Sequence, residues 1–512
     1  MKTIREMLDR SFMLYGKEPA IRYLNKKEVC ELHYADIEQK VKAIRAALHA
    51  KGYEGKQISL IGESSPEWVE TFFGITTGRS AAVPLDVMLP PMEFIDLINR
   101  SDSEALFVSP SFEKVLDLIR SSCPKLRDIV LLTPEGIAGF TDGFTEVQDR
   151  EYCPAASDLA VIIFTSGTTG KSKGVMLSHE NLVSNVENVE VEAGPGTTML
   201  SVLPIHHAYC LTCDWIEGFY HGVTVMINDS LLHMAKNMKR FNPDIMLMVP
   251  LMIESIGKKI AQAGQGGLPE DPAVIKAIHD KIFGTNLKWI YSGGAALNPY
   301  YIRMFRALGV EILQGYGMSE CSPVITSNGM TEHKDGTVGR PLANAQIRIV
   351  NGEIQVKGSS VMQGYYKMPE ETAETLEDGW LHTGDEGNID EEGYLTITGR
   401  TKNLIILSNG ENVSPEMIEE RFGMNPLISE IVITGEVNGL TARIYPDPDA
   451  VEAAGLLEEA LRAKLQEAID ASNASEPSYR AITALVIRQN PFRKSTTHKI
   501  LRRYAAEDQP LQ

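Results

Sequence analysis

Phe164–Gly174 reads FTSGTTGKSKG and gathers the groups that a polyphosphate needs. Thr165, Ser166, Thr168 and Thr169 offer hydroxyls, and Lys171 and Lys173 offer positive charge. Gly167 and Gly170 let backbone N–H groups approach an anion closely. A Walker P-loop places four residues between its first Gly and its Gly-Lys, whereas only Thr168 and Thr169 separate Gly167 from Gly170. A plain surface turn shares this composition. A second stretch, LQGYGMSECSP from Leu313 to Pro323, sets Tyr316 between Gly315 and Gly317, where its ring can stack on a flat base. Ser319 can bond a phosphate oxygen, and Glu320 is a hard oxygen donor that suits Mg²⁺. The bland alternative is a Gly-rich turn around a buried Tyr. In YSGGAALNP, Gly293, Gly294 and Ala295 leave the backbone bare enough for a flat ligand to lie against. His206 and His207 stand side by side, although a His is more often packed or solvated than catalytic. Cys210 and Cys213 form a C-x-x-C without a second pair at zinc-ribbon spacing, which favours buried thiols over metal or redox chemistry.

These residues need a rigid frame, and the pattern supplies one. DLAVIIFTS is a short apolar, β-branched run that predicts a buried strand entering the loop, and Ser178 is placed to cap a helix after it. Ile37, Val41, Ile44 and Leu48 predict a helix over 35–51 closed at Gly52. QISLIGE, SPEWVETFFGITTG and AAVPLD then read as strand, helix and strand. Strands alternating with helices imply α/β layers with a largely parallel sheet through about residue 350. From about 330 the texture turns β-rich. AQIRIVNGEIQVKG predicts a hairpin at Asn351-Gly352, and GNIDEEGYLTITGR predicts a second. A domain boundary is expected close to Arg400. Beyond it, EIVITGEV, ITALVIRQ and a helix from about Leu456 to Ala471, with Leu457, Leu461, Leu465 and Ile469 in one row, indicate a small α+β domain.

The 512 residues allow several domains, and 43% hydrophobic with 23% charged content is ordinary for a globular protein. Lys plus Arg number 49 against 68 Asp plus Glu, a net charge of −19 that argues against a nucleic-acid surface. Six Cys do not suggest a disulfide framework. The charged N-terminus lacks the apolar run of a signal peptide, and no stretch approaches a membrane span. A cytoplasmic enzyme is the expectation.

FTSGTTGKSKGVMLSHENL closely resembles the signature loop of the adenylate-forming superfamily, which includes acyl-CoA synthetases, peptide-synthetase adenylation domains and beetle luciferases. Further motifs follow in family order over essentially the whole chain, most like those of a bacterial fatty acyl-CoA synthetase. The resemblance implies a large N-terminal AMP-binding domain over 1–400, built of α/β layers plus a β-rich subdomain. It implies a small mobile α+β domain over 401–512. It assigns ATP and AMP contacts to Thr165, Ser166, Gly167, Thr168, Thr169, Gly170, Lys171, Gly294, Ala295, Gln314, Gly315, Tyr316, Gly317 and Ser319. Tyr316 would meet adenine, Ser319 phosphate and Glu320 magnesium. Asp385 and Arg400 would hold the ribose. Lys402 matches the hinge, Gly410 the thiol-binding edge, and Lys499 the catalytic lysine, with Lys494 as its rival. His207 matches a position beside the carboxylate. The acyl pocket would draw on His207, Tyr209, Trp215, Gly293 and Gly315. Four residues depart from the usual pattern: Ser319 replaces Thr, Asn403 an acid, Met417 a Glu and His498 a Gly. Glu416 and Glu419 are placed to compensate for Met417.

The implied reaction joins a carboxylic acid to the α-phosphate of ATP, releases pyrophosphate and passes the acyl group to coenzyme A, with Mg²⁺ as cofactor. An apolar acid such as a medium- or long-chain fatty acid is expected, because no Asp to meet an α-ammonium follows His207 until Asp214. The alternatives are transfer to an acyl carrier protein in trans, an ADP-forming P-loop NTPase, and a noncatalytic acyl-binding protein.

Overall fold

The structure is a computed structural model that describes residues 1–144, 153–165, 172–263, 271–406, 412–436, 439–474, 477, 480–494 and 500–508. Two compact units emerge. One comprises Met1–Ile347, Val356–Leu381 and Glu391–Leu395. The other comprises Arg348–Gln355, His382–Asp390 and Thr396–Gln512.

Two sheets carry the first unit. Its strands in chain order are β1 (Pro19–Asn25), β2 (Glu28–His33), β3 (Gln57–Ile61), β4 (Ala81–Leu85), β5 (Ala105–Val108), β6 (Asp128–Leu131), β7 (Leu159–Thr165), β8 (Lys173–Ser178), β9 (Thr198–Ser201), β10 (Thr224–Ile227), β11 (Ile245–Met248), β12 (Trp289–Ser292), β13 (Glu311–Gly317), β14 (Val324–Ser327) and β15 (Arg340–Pro341). The nine-stranded sheet runs β15-β14-β13-β12-β11-β9-β10-β1-β2. The seven-stranded sheet begins with the short strand Gly364–Tyr365 and continues β8-β7-β4-β3-β5-β6. Pairing is parallel through β13-β12-β11-β9-β10-β1 and through β7-β4-β3-β5-β6. Parallel strands are buried on both faces by crossover helices, so they read as continuous apolar runs. Ile58, Leu60 and Ile61 of β3 and Leu106–Val108 of β5 are fully buried. The helix Tyr34–Ala50 turns Ile37, Val41 and Ile44 inward as the 3.6-residue period requires. Gly74 of the helix Pro66–Thr76 lies against it, where a Cβ would stand 2.5 Å from Ile44 Cγ2.

The second unit holds a three-stranded sheet of Ile428–Glu436, Gly439–Pro446 and Ile482–Ile487. Leu461, Leu465 and Ile469 of the helix Glu458–Asn473 pack against it with Phe422 and Ile433. Leu457 is not part of that row. It is the N-cap, one residue before the helix, and is 81% exposed. At the predicted hairpin turn, Asn351 has φ 52° and Gly352 φ 87°, the pair of positive angles that a two-residue turn demands.

Candidate active site

The polyphosphate-like loop sits on an antiparallel hairpin stem, with Phe164 opposite Gly174 and Thr165 opposite Lys173. Ser166, Gly167, Thr168, Thr169, Gly170 and Lys171 lie outside the described residues, so the stem alone is characterised. Arg100 braces both of its sides: Nη2 donates to the Ser172 carbonyl at 2.6 Å, and the guanidinium lies 5.6 Å from the Phe164 ring centroid. Gly174 sits in tight surroundings, since a Cβ would stand 3.0 Å from the Ile162 side chain and 3.2 Å from that of Phe164.

Ser178 caps the helix His179–Val186 as expected, accepting from Asn181 N at 3.1 Å. That helix also grips the second motif. Asn185 Nδ2 donates to the carbonyls of Val324 (2.7 Å) and Cys321 (3.3 Å), and its Oδ1 accepts from Val324 N at 3.3 Å. Asn181 Nδ2 donates to the carbonyls of Ser359 and Val361. The segment that follows the loop is therefore bonded directly to the turn after Glu320.

That turn is tightly specified. Strand β13 ends at Gly317, and a short 3₁₀ turn, Ser319–Cys321, carries Glu320. A Cβ on Gly317 would fall 2.0 Å from the Pro323 carbonyl oxygen, so only glycine lets the strand fold back there. Gln314 is buried, and its carbonyl accepts from Asn328 N and Nδ2. Tyr316 and Ser319 are half-buried. Glu320 is 9% exposed, and its Oε1 accepts from the Tyr365 phenol at 2.9 Å. Burial and the adjacent Glu320 push the Tyr365 phenol up, so it stays a donor. The ammonium of Lys173, at the mouth of the loop stem, lies 4.5 Å from the Tyr365 ring centroid.

Three expected pocket residues come together. A Cβ on Gly293 would stand 3.5 Å from the Tyr209 ring and 3.6 Å from the Gly315 carbonyl, and Tyr209 OH donates to the Tyr291 carbonyl at 3.1 Å. Gly294 has φ 88°, while Ala295 is exposed beside it. His207 is half-buried with its ring 4.2 Å from that of His206, whose Nε2 lies 3.5 Å from Asp86 Oδ1. Trp215 is wholly buried near Phe219 on a π-helical segment, Cys210–Ile216. Cys210 and Cys213 are buried free thiols, both pushed up by burial. The same segment holds two interior acids. Burial pushes Asp214 up to about 7, against hydrogen bonds from Ser201 and Cys210. Burial, with the Asp214 charge adding to it, pushes Glu217 up to about 8.

In the second unit, Asp385 is 4% exposed and Arg400 Nε lies 2.9 Å from its Oδ1. Lys402 is exposed on the turn Thr401–Asn403, and Asn403 Nδ2 donates to Glu416 Oε1 at 2.6 Å. Glu419 Oε1 accepts from Ile433 N at 2.6 Å, and Arg502 binds both Glu416 and Glu419. Gly410 and Lys499 lie outside the described residues. The rival Lys494 is engaged by Glu430 Oε1 at 2.6 Å. Sequence reasoning missed Arg100, Asn181, Asn185 and Tyr365. Only the i, i+4 spacing of the two Asn residues behind Ser178 signals that they share a helix face.

Comparison with known proteins places this geometry. The model of the AMP-binding enzyme family matches residues 8–366, and that of the AMP-binding enzyme C-terminal domain matches residues 402–509. The long-chain-fatty-acid–CoA ligase FadD15 of Mycobacterium bovis is 27% identical over 466 residues, covering 82% of this chain and 78% of that protein. The chloroplastic long-chain-fatty-acid–[acyl-carrier-protein] ligase AEE15 of Arabidopsis thaliana is 27% identical over 545 residues, covering 85% and 75%. The crystal structure of the anthranilate CoA ligase AuaEII in complex with anthranoyl-AMP superposes with a TM-score of 0.83 at 19% identity, covering 98% of this chain and 96% of that one, which shows the fold.

Proposed function

The chain belongs to the AMP-binding enzyme family, and on that premise we propose that it activates a long-chain fatty acid with ATP and passes the acyl group to coenzyme A. The observation that carries the proposal is the bonded link between two motifs. Asn185, on the helix after strand β8 of the loop stem, holds the turn that bears Ser319 and Glu320 and follows Tyr316 at the end of β13. Such a link keeps a phosphate cradle and an adenine-stacking ring in fixed register, which in-line attack on the α-phosphate requires.

In the first half-reaction a carboxylate oxygen attacks the α-phosphorus, and the bond to pyrophosphate breaks. Two anions must approach, so oriented donors and cations lower the barrier. Thr165, Ser166, Thr168, Thr169 and Lys171 would clasp the departing phosphates, and Lys499 would bridge the carboxylate and the α-phosphate. Tyr316 would stack on adenine against Gly294 and Ala295, with Asp385 and Arg400 on the ribose. Glu320 suits Mg²⁺, a cation held by one or two carboxylates plus phosphate oxygens, because its carboxylate is buried, oriented and retains acceptor capacity beyond the Tyr365 bond. When bound, that ion neutralises phosphate charge. In the second half-reaction the thiol attacks the acyl carbon and AMP leaves. The domain turning at Lys402 would bring the Gly410 edge to that step.

Transfer to a carrier-protein thiol is the second reading, favoured by the carrier-protein ligase among the relatives. Pyrophosphate release across a panel of carboxylic acids, with coenzyme A, a carrier protein or neither, tests both. Release that depends on a long-chain acid, with thioester formed on coenzyme A, supports the first. Thioester on the carrier protein alone supports the second, and absence of acid-dependent release overturns both.

A further inference from the structure

We propose that Tyr365 is a positioning residue for the metal-binding carboxylate of Glu320 and couples it, through Lys173, to the stem of the phosphate loop. The proposal rests on the reading of Glu320 as the Mg²⁺ ligand. Tyr365 makes two contacts toward the reaction centre that a packing residue does not need. Its phenol donates to Glu320 Oε1 at 2.9 Å, and its ring face receives the Lys173 ammonium at 4.5 Å. Lys173 pairs with Thr165, so one aromatic ring touches both the loop mouth and the carboxylate.

Tyr365 is itself firmly held. It lies in the short strand Gly364–Tyr365, opposite Val175 of β8, and is 6% exposed. Its backbone N–H donates to Thr372 Oγ1 at 2.9 Å. Gly364, at φ 132°, leaves room for Thr372, which a Cβ would approach to 2.7 Å. The backbone of Glu320 is fixed from the same side, its carbonyl accepting from Met362 N at 2.8 Å. A carboxylate anchored by one oxygen cannot rotate freely, so the remaining lone pairs present a defined direction to a cation, and the cost of ordering them is met in the fold. An ammonium over the ring face draws electron density from the phenol and strengthens it as a donor. Metal affinity and loop position thus share one side chain.

The test compares Tyr365→Phe, Glu320→Gln and Lys173→Met in the full chain. The readouts are acid-dependent ATP–pyrophosphate exchange against free Mg²⁺, Mn²⁺ bound to the enzyme–ATP complex by electron paramagnetic resonance, and the melting temperature. Tyr365→Phe keeps the ring and removes the hydroxyl, which donates to Glu320 and also meets the Thr375 side chain. Its half-saturating free Mg²⁺ is expected to rise about tenfold, the scale of one hydrogen bond to a charged group. Mn²⁺ binding should weaken by the same factor, while the acid KM and melting temperature stay at wild-type values. Lys173→Met is expected to move the metal dependence in the same direction and less far. Wild-type metal dependence in Tyr365→Phe alongside a shifted Glu320→Gln overturns the proposal alone. Wild-type metal dependence in Glu320→Gln overturns the reading of Glu320 and the proposal with it. A Tyr365→Phe chain that melts early, or whose ATP, acid and metal constants all rise together, shows a structural role and also overturns it.

Discussion

Asn185→Ala isolates the link between the phosphate loop and the adenine turn. Asn185 is fully buried and makes three hydrogen bonds to the backbone at Cys321 and Val324, the shortest at 2.7 Å. Each contributes about 1 kcal/mol net, and truncation leaves two carbonyls and one N–H without that partner in the interior. The expected loss is about 3 kcal/mol of unfolding free energy, read as a lower urea midpoint at unchanged slope. Because the turn carries Ser319 and Glu320 and directly follows Tyr316, the same variant should raise the KM for ATP in pyrophosphate exchange more than the KM for the acid. Asn185→Asp keeps the acceptor for Val324 N but sets a buried carboxylate against the carbonyl oxygens of Cys321 and Val324, so it should cost at least as much as alanine. A loss below about 0.5 kcal/mol, the range of a neutral surface change, would refute the reasoning. So would a lower midpoint with both KM values unchanged.

Two further outcomes follow from buried charge, and two more concern the C-terminal lysines. Burial depresses His179 to about 4, and Ile4 N donates to its Nδ1, which demands the neutral ring. The unfolded chain therefore binds the extra proton between about pH 4 and about 6.5, so stability should fall by roughly 3 kcal/mol as the pH drops through that window. His179→Gln should flatten that slope in urea titrations. Asp214 titrates in the opposite sense. Its folded value is raised to about 7, so the folded state holds the proton longer and stability declines as pH rises from about 4 to about 7; Asp214→Asn should remove its share of that decline. Lys499→Ala should abolish acyl-adenylate formation and spare thioester formation from a preformed adenylate, whereas Lys494→Met should lower the melting temperature through loss of its Glu430 pair and leave adenylation intact.

Legibility followed the range of the forces involved. Ile37, Val41 and Ile44 announce their helix because burial repeats with the helical period inside one segment. Asn351 and Gly352 announce their turn because the positive φ values are a local demand. The helix Glu458–Asn473 was legible in period and misplaced at its start, since Leu457 continues the apolar row in sequence and ends it in space. At the site, Gly317 was legible as a residue type, although its reason is a carbonyl on Pro323 that only the folded turn brings to 2.0 Å. Tyr365 and Asn185 were not legible. Their partners stand 45 and 136 to 139 positions away, and no local pattern encodes a contact of that span. Of the buried acids, Asp214 was read only as the first Asp after His207, and Glu217 was not read at all. Their burial comes from the packing around the π-helical segment Cys210–Ile216.

In the proposed reaction a carboxylate oxygen becomes bonded to the α-phosphorus of ATP. A long-chain fatty acid labelled with ¹⁸O in both carboxyl oxygens, incubated with the full chain, ATP, Mg²⁺ and coenzyme A, tests it by mass spectrometry of the nucleotide product. AMP carrying one ¹⁸O, formed together with pyrophosphate and acyl-CoA, is the expected result. Unlabelled AMP, or ADP in its place, would contradict it.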